Sequence, residues 1–234
     1  MIIPVIQGVI RRRLLINFRI DPVTVQSILP PGFCPKIFNG HAIGGICLIR
    51  MEHERLKGLP SLVGFSSENA AHRFAVEWDG GEGVYIPRRD TNSRVNVWAG
   101  GRLFPGEQSL SRFEVQDDQN DLSIMLISED DEASLEVRGH LTEAWPSDSC
   151  FDSLSQSSQF FEAGRIGYSS RRSGTDLDGI RLDTENWTVS PFQVEYVKSS
   201  FFDSLGSVEL DHGLVMRNLV HQWTAVPPID KFKS

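Results

Sequence analysis

The sequence predicts a mainly β fold at the margin of α+β, namely an antiparallel β-barrel with a few short flanking helices. Segments in which apolar and polar residues alternate recur along the chain between Arg11 and Ala225, and turn-forming residues separate them at short intervals. Helical spacing of apolar residues is confined to a few short stretches. No linker-like composition interrupts this pattern, so we expect one domain over residues 1–234.

The first strand is predicted over Arg11–Ile20, where Leu14, Ile16 and Phe18 share one face and Arg11 lies on the other. We expect the apolar face to pack against covering helices and Arg11 to face the barrel lumen. The remaining predicted strands are Ala42–Met51, His72–Trp78, Leu122–Ser128, Ser134–Thr142, Phe192–Lys198 and Leu214–Ala225.

Three short helices are predicted between these strands. Asp21-Pro22 supplies an N-cap and a first-turn proline for a helix that runs to Leu29 and stops at a Pro-Pro-Gly sequence. Phe151–Ala163 has apolar residues at helical spacing and is followed by a glycine that can end a helix. Ser199–Leu205 can form about two turns. Glu129–Glu132 is predicted to be a hairpin tip and Ser169–Gly179 a loop.

Composition excludes several function classes. A net charge of −8 and a pI near 5.3 argue against binding to nucleic acid or to an anionic membrane surface. Cys34, Cys47 and Cys150 form no CxxC pair, which suits a reducing cytoplasm, and no apolar run approaches the ~20 residues of a membrane span. The six histidines show no metal-binding spacing, so we expect no metal and no cofactor, and a homo-oligomer stays open.

The segment from Glu68 to Arg94 has the highest density of charged groups within strand-like alternation. Glu68 is either a cap residue or a pocket carboxylate that acts as acid or base. His72 shares parity with apolar neighbours, which is more typical of a buried core histidine than of a ligand-binding one. Arg88, Arg89 and Asp90 form either a surface turn or a clamp for a carboxylate.

Several segments resemble a known family over nearly the whole chain. They are RRRLLINFRIDPVTVQSILPPGF, HAIGGICLIRM, SSENAAHRFAVEW, GVYIPRRDTNSRVN and LDHGLVMRNLVHQW. In order and in kind they resemble the YqjF-like domain of unknown function, which is grouped with the acetoacetate decarboxylase-like superfamily. The resemblance implies a cone-shaped, mostly antiparallel barrel with an internal polar cavity.

In acetoacetate decarboxylases a lysine of a Pro-Lys-Lys motif forms a Schiff base with a β-keto acid, and an arginine and a glutamate complete the site. The resemblance assigns the arginine to Arg11 and the glutamate to Glu68. The lysine pair has no counterpart, because the matching stretch reads DTNSRVN, with Arg94 and Asn96. Arginine stays protonated and cannot supply the free amine of an imine, so we expect no Schiff-base chemistry.

The predicted function is therefore a barrel that binds a small organic acid or carbonyl compound. If it is an enzyme, Glu68 would transfer a proton next to a carbonyl. The ligand-binding candidates are Arg11, His72, Arg88, Arg94 and Asn96. Arg11 and Glu68 are expected to pair inside the barrel. The alternatives are a noncatalytic ligand-binding or accessory protein and a structural, partner-binding domain.

Overall fold

The computed structural model describes residues 5–102, 105–170 and 176–230. Within these residues the strands belong to one sheet. They are β1 Ile6–Ile20, β2 Cys34–Pro35, β3 Ile37–Phe38, β4 His41–Leu56, β5 Phe65–Trp78, β6 Gly81–Thr91, β7 Ser109–Asp117, β8 Asp121–Ser128, β9 Ser134–Leu141, β10 Ile166–Ser170, β11 Asp176–Thr184, β12 Ser190–Ser199 and β13 Val208–Asp230. The helices are α1 Pro22–Ile28, α2 Arg94–Ala99, α3 Leu154–Ala163 and α4 Ser200–Asp203, with a 3-10 turn at Ser61–Val63. The mainly β prediction is confirmed.

The strand pairings close the sheet into two rings that share five long strands. In both rings β13, β1, β4, β5 and β6 are neighbours. One ring is completed by β7, β8, β9 and β12, and the other by β10 and β11. The sequence predicted an antiparallel sheet, and this holds except at β6, which pairs in parallel with β7 and with β10 over two residue pairs each.

The shared strands pack a hydrophobic core on each face. The barrel face, which includes Leu14 and Ile16, packs against buried leucines of β8 and β9 inside the first ring. The opposite face, here called the α3 face, carries Leu15 and Met216 and is covered by Phe161 of α3 and its neighbours. Leu14 and Ile16 therefore lie inside the barrel, whereas Phe18 on the same face stacks on Phe202 of α4, so the predicted packing against helices is confirmed only for Phe18.

A β-bulge in β1 determines where the Arg11 side chain points. Arg11 has no partner in the pairing of β1 with β4, and Asn218 on β13 has a φ of 56°. The extra residue reverses the alternation, so Ile10 belongs to the α3-face core although it has the same parity as Arg12. Arg11 itself is exposed, and the prediction that it faces the lumen is wrong.

The predicted helices are present with slightly shorter bounds. The Asp21 side chain accepts hydrogen bonds from the backbone N–H groups of Val23 and Thr24, as an N-cap should. The predicted loop Ser169–Gly179 is wrong at both ends, which lie in β10 and β11, and residues 171–175 lie outside the described residues. In the part of the chain that the structure describes, no helix is long and apolar enough to cross a membrane.

Candidate functional site

The barrel face carries a chain of ion pairs at one end of the shared strands. Arg12, only 2% exposed, donates to Glu68 over 2.6 Å. The same guanidinium reaches Asp117 on β7 at 3.3 Å, and Asp117 accepts from Arg217 at 2.7 Å. Arg50 lies 3.9 Å from the Glu68 carboxylate. Each buried charge in this network of ion pairs thus has an opposite charge beside it.

The predicted pairing of Arg11 with Glu68 is wrong. Because of the bulge, the Arg11 side chain points away from the interior, where it is 53% exposed and donates to Glu52 and Asn218 at 2.9 Å. Arg12, whose alternation places it beside Leu14, takes the predicted position next to Glu68. Arg12 was available as an alternative, because three consecutive arginines begin the predicted strand. Only the bulge determines which of the three lies beside Glu68.

Burial raises the pKa of Glu68 above its ordinary value, although Arg12 and Arg50 oppose the shift. Near this chain a surface cleft of about 540 Å³ is lined by Arg11, Arg217, Asn218 and their neighbours. An acidic group of raised pKa, linked to a cleft that carries two guanidinium groups, is a candidate site for proton transfer.

His72, Arg88 and Asp90 form a second buried group on the barrel face. Asp90 accepts from Arg88 at 2.8 Å and from Ser111 at 3.0 Å. The His72 Nδ1 atom lies 3.7 Å from an Asp90 oxygen, and neither ring nitrogen has a hydrogen-bond partner among the described residues. Desolvation, with the charge of Arg88, lowers the pKa of His72 to about 3, so its imidazole is neutral.

Arg88 also binds carboxylates of the protein itself. Its guanidinium lies 2.8 Å from Asp130 and 3.0 Å from Glu132, both at the tip of the predicted hairpin between β8 and β9. These carboxylates belong to the chain itself, so a clamp for a ligand carboxylate stays a prediction. Burial raises the pKa of Asp90 despite these contacts.

The α3 face holds a cluster of three arginines around Cys47, here called the arginine site. Arg13 donates from Nε to the Cys47 sulfur at 3.3 Å. Arg73 donates to the side-chain oxygen of Asn17 at 2.6 Å, and Arg89 donates to the Ser169 hydroxyl at 3.2 Å. The three come from β1, β5 and β6, which place them on one face because Cys47, Ala71 and Arg89 pair in register.

Aromatic rings form walls of the arginine site. The Arg13 guanidinium lies 5.5 Å from the ring centroid of Trp187, and that of Arg73 lies 4.8 Å from the ring centroid of Phe161 on α3. Such stacking stabilises a guanidinium without neutralising it. Arg73 is buried, whereas Arg13 and Arg89 are half-buried, so the cluster extends from the core towards solvent.

None of these three arginines forms an ion pair with a carboxylate of the described residues. The Nε atom of Arg73 and the Nη2 atom of Arg89 are buried and have no hydrogen-bond partner there either. Desolvation lowers the pKa of both side chains to about 10, so both remain protonated near neutral pH. Within the described residues the arginine site is therefore a concentration of positive charge without a counter-ion.

A polar network connects the arginine site to helix α3. Asn17, which binds Arg73, donates to His212 Nε2 at 3.0 Å, and the Ser157 hydroxyl of α3 lies 2.8 Å from the same atom. His212 Nδ1 is hydrogen-bonded to Asp211. Burial lowers the pKa of His212, and hydrogen bonds from His212 and Ser149 lower the pKa of Asp211 to about 2 although burial opposes this. A neutral His212 that carries its proton on Nδ1 donates to Asp211 and leaves the single lone pair of Nε2 to be shared by Asn17 and Ser157.

The two remaining predicted residues lie at helix α2. Arg94 is exposed at the first residue of the helix. Asn96 donates from its amide to Ser67 at 3.2 Å, to Asn69 at 3.1 Å and to Thr91 at 3.3 Å, which ties α2 to β5 and β6. The predicted residues are thus divided between the barrel face (Glu68, His72, Arg88), the surface (Arg11, Arg94) and the junction of α2 with β5 and β6 (Asn96).

Sequence reasoning missed the arginine site as a unit. Arg73 and Arg89 lie in the charge-dense segment, but no local pattern connects either of them with Arg13. The available signal was a set of odd-numbered arginines on neighbouring strands, opposite the glycine-rich Gly44-Gly45 stretch.

Among the described residues, no group of three or more His, Cys, Asp or Glu side chains is placed to hold a metal ion.

The comparison with protein families assigns the chain to one of them. Residues 9–221 match DUF2071, an uncharacterized conserved protein family, so the chain belongs to the DUF2071 family. No curated protein matches the sequence significantly.

Solved structures with the same fold are acetoacetate decarboxylase-like. Acetoacetate decarboxylase from Legionella pneumophila superimposes with a TM-score of 0.62 at 15% identity, over 96% of this chain and 88% of that one. An acetoacetate decarboxylase-like enzyme from Sphingomonas wittichii gives 0.65 at 11% identity, over 98% and 94%. The enduracididine biosynthesis enzyme MppR, complexed with pyruvate, gives 0.66 at 11% identity, over 97% and 90%. At these identities the likeness establishes the fold alone.

Proposed function

We propose that this member of the DUF2071 family binds a small organic acid on the α3 face, with the acid's carboxylate held by Arg73 and Arg89 and approached by Arg13. One observation carries the proposal: three guanidinium groups surround Cys47 without a carboxylate partner among the described residues. Guanidinium groups bind carboxylates with two parallel hydrogen bonds, which makes arginine well suited to such a ligand.

The energetic reason is the cost of burying charge. An ion removed from water loses several kcal/mol of hydration unless an opposite charge and hydrogen bonds replace it. On the barrel face Glu68 and Asp117 provide this compensation for Arg12. On the α3 face the nearest polar partners of the arginines are a thiol, an amide and a hydroxyl, which are uncharged or weakly polar. An anionic ligand would supply the missing charge.

The fold neighbours support a ligand of this class. MppR, which shares the fold, is complexed with pyruvate, a small organic acid. The proposal keeps the predicted ligand class and moves it to the α3 face. It does not depend on lysine: Lys36 pairs with Glu82 and lies over the Phe160 ring, and Lys57 donates to Gln222.

The test is a titration of the purified full chain with pyruvate and with other small organic acids, followed by calorimetry. Arg73→Gln removes the buried charge at similar size, and we expect it to weaken binding about tenfold or more. Arg138→Gln is the matched control, because Arg138 lies on the surface over Tyr196 and pairs with Glu136. Equal affinity of wild type and Arg73→Gln for an acid that binds would contradict the proposal.

A second candidate is proton transfer by Glu68 to an acid bound in the cleft of Arg11 and Arg217. Its support is the raised pKa of Glu68 and the ion-pair chain that links it to Arg217 through Asp117. Here Arg217→Gln, and not Arg73→Gln, should abolish binding. Incubation of pyruvate with the protein in D2O, with methyl deuteration followed by NMR, would detect turnover, and Glu68→Gln should eliminate it.

Without turnover, the protein would be a noncatalytic ligand-binding or accessory protein. Without any ligand, the alternative of a structural domain that binds a protein partner would remain. His72, Arg88, Arg94 and Asn96 stay predictions as ligand-binding groups.

A further inference from the structure

Resting on the proposed function, we infer that Asp211 is a positioning residue for acid binding at the arginine site. It acts through His212 and Asn17, which orient the guanidinium of Arg73 for the carboxylate of the ligand. Three consecutive hydrogen bonds link these residues: Arg73 to Asn17, Asn17 to His212, and His212 to Asp211.

A second β-bulge brings the consecutive residues Asp211 and His212 together in the interior. His212 pairs with Asn17 of β1 and Leu210 pairs with Phe18, so Asp211 has no partner in this strand pairing. Consecutive side chains of a regular strand point to opposite faces. At the bulge this alternation is interrupted, and the two buried side chains are hydrogen-bonded to each other.

Asp211 determines which ring nitrogen of His212 carries the proton. Its carboxylate accepts hydrogen bonds from the Ser149 hydroxyl at 2.7 Å and from the backbone N–H of Cys150 at 2.8 Å, and it lies 3.4 Å from Arg19 Nε. Because an ionised carboxylate can only accept, it holds the proton of the neutral imidazole on Nδ1. The Nε2 atom of His212 is then an acceptor.

The tautomer of His212 in turn fixes the orientation of the Asn17 amide. The amide NH2 group donates to His212 Nε2 at 3.0 Å, and the amide oxygen accepts from Arg73 Nη2 at 2.6 Å. With the proton on Nε2 instead, the amide would have to turn and present its NH2 group to Arg73. Two donors would then face each other, and Arg73 would lose its hydrogen bond to Asn17.

The anchored guanidinium is prepared for a carboxylate. Asn17 holds Nη2 of Arg73 and the Phe161 ring lies 4.8 Å from the guanidinium, whereas Nε is buried without a partner among the described residues. Two-pronged binding of a carboxylate requires a guanidinium plane in a fixed orientation. A side chain that is already held in this orientation loses less entropy when the ligand binds.

The experiment compares Asp211→Asn with Ser149→Ala. The first replaces the carboxylate by an amide whose NH2 group can donate to His212 Nδ1, which moves the proton to Nε2. The second removes one hydrogen bond to Asp211 and keeps its charge. In calorimetry of the full chain with pyruvate, well below the unfolding temperature, we expect affinity about tenfold lower in Asp211→Asn and changed by less than about threefold in Ser149→Ala.

Nitrogen NMR on protein labelled at histidine measures the tautomer directly. We expect the His212 proton on Nδ1 in wild type and in Ser149→Ala, and on Nε2 in Asp211→Asn. Asp183→Asn is the matched control, because Asp183 is partly exposed and pairs with Arg181, and it should keep both the tautomer and the affinity.

The outcomes separate this inference from the function on which it rests. Pyruvate binding that is equally tight in wild type and Asp211→Asn would overturn the positioning role and leave the organic-acid site intact. A loss of affinity with the proton still on Nδ1 would also overturn it, since the loss would then come from a structural disturbance. No binding by wild type would overturn both.

Two further measurements apply if Asp211→Asn does not fold. A proton on Nε2 of His212 in wild type would overturn the inference without any variant. Asn17→Leu, which has similar volume but cannot connect His212 to Arg73, should lower the affinity for pyruvate about tenfold. Unchanged affinity in this variant would show that Arg73 binds the acid without the network.

Discussion

The two faces of the shared strands differ in whether their arginines have carboxylate partners. On the barrel face Arg12 is buried against Glu68 and Asp117, and Arg88 against Asp90, Asp130 and Glu132. On the α3 face Arg73 is equally buried and contacts an amide and an aromatic ring. The strands are the same and the residue type is the same, so the difference lies in whether a carboxylate neutralises each guanidinium group.

This difference separates charges that serve the fold from charges that are available to a ligand. A buried arginine that is paired within the chain contributes to a specific packing arrangement, and removing its partner is costly. A buried arginine without a carboxylate destabilises the ligand-free protein and is stabilised when an anion binds. The two faces should therefore respond in opposite directions to the loss of one charge.

The largest effect is expected on the barrel face. Glu68→Ala removes the main partner of Arg12 and should lower the free energy of unfolding by about 3–5 kcal/mol, the range for breaking a buried pair. Chemical denaturation at neutral pH measures it. Glu195→Ala is the control, because Glu195 is exposed and pairs with His140 near the surface. A loss below about 1 kcal/mol, the value typical of surface pairs, would show that Asp117 alone compensates Arg12.

The next effect concerns His72 and its neutral, buried imidazole. Its pKa is about 3 in the folded chain and ordinarily 6.5, so below pH 6.5 the unfolded chain binds a proton that the folded chain does not. This contribution to stability is therefore lost as the pH falls from 6.5 towards 3. Between pH 6.5 and 4.5, His72→Leu should lose roughly 2–3 kcal/mol less than wild type. Parallel pH profiles of the two proteins would show that His72 is hydrogen-bonded and chargeable.

On the α3 face the loss of a charge should change stability in the opposite direction. Arg73→Met keeps the volume and the contact with Phe161 but removes a buried charge, at the cost of one hydrogen bond to Asn17. Without ligand we expect the variant to be as stable as wild type or more stable by up to about 2 kcal/mol. Thermal unfolding in a buffer free of organic acids and phosphate measures it. A clear loss of stability would mean that Arg73 serves the fold, as Arg12 does.

The smallest effect is expected for Arg11. Arg11→Ala removes a side chain that is 53% exposed and paired with Glu52, so the cost should be about 0.2–1 kcal/mol. Denaturation in low and high salt is the measurement, since an exposed pair is screened by salt. A loss comparable with that of Glu68→Ala would restore Arg11 to the interior network from which the bulge removes it.

Local sequence signals predicted most of the secondary structure. The Asp21-Pro22 cap, the acidic hairpin tip at Glu129–Glu132 and the alternation in β8, β9 and β12 each depend on neighbouring residues only, and all are confirmed. Strand β7 was missed because Phe113 and Val115 are its only large apolar residues on the inward parity. Strands β10 and β11 were missed because small and charged residues disguise their alternation.

The site could not be predicted to the same extent, because faces depend on pairing between distant strands. Arg11, Arg12 and Arg13 are consecutive, and the structure places one on the surface, one on the barrel face and one on the α3 face. That assignment follows from a bulge opposite Asn218, about two hundred residues away, a coupling that no local pattern contains. Glu68 was predicted as an interior carboxylate, but its partner is Arg12 and not the preceding residue, Arg11.

The short parallel pairings of β6 have a consequence for motion. Each ring closes at β6 through only two residue pairs, so amide hydrogen exchange should be fastest at these two seams and slowest in the long pairings of β1. Side-chain hydrogen bonds cross both seams: Ser111 donates to Asp90 at the first, while Arg89 donates to Ser169 and Tyr85 pairs with Ser170 at the second. Because Arg89 also belongs to the arginine site, an anion bound there would slow opening of the second ring and leave the first unchanged. Binding at the arginine site would thus be detected as slower amide hydrogen exchange at the pairing of β6 with β10 alone.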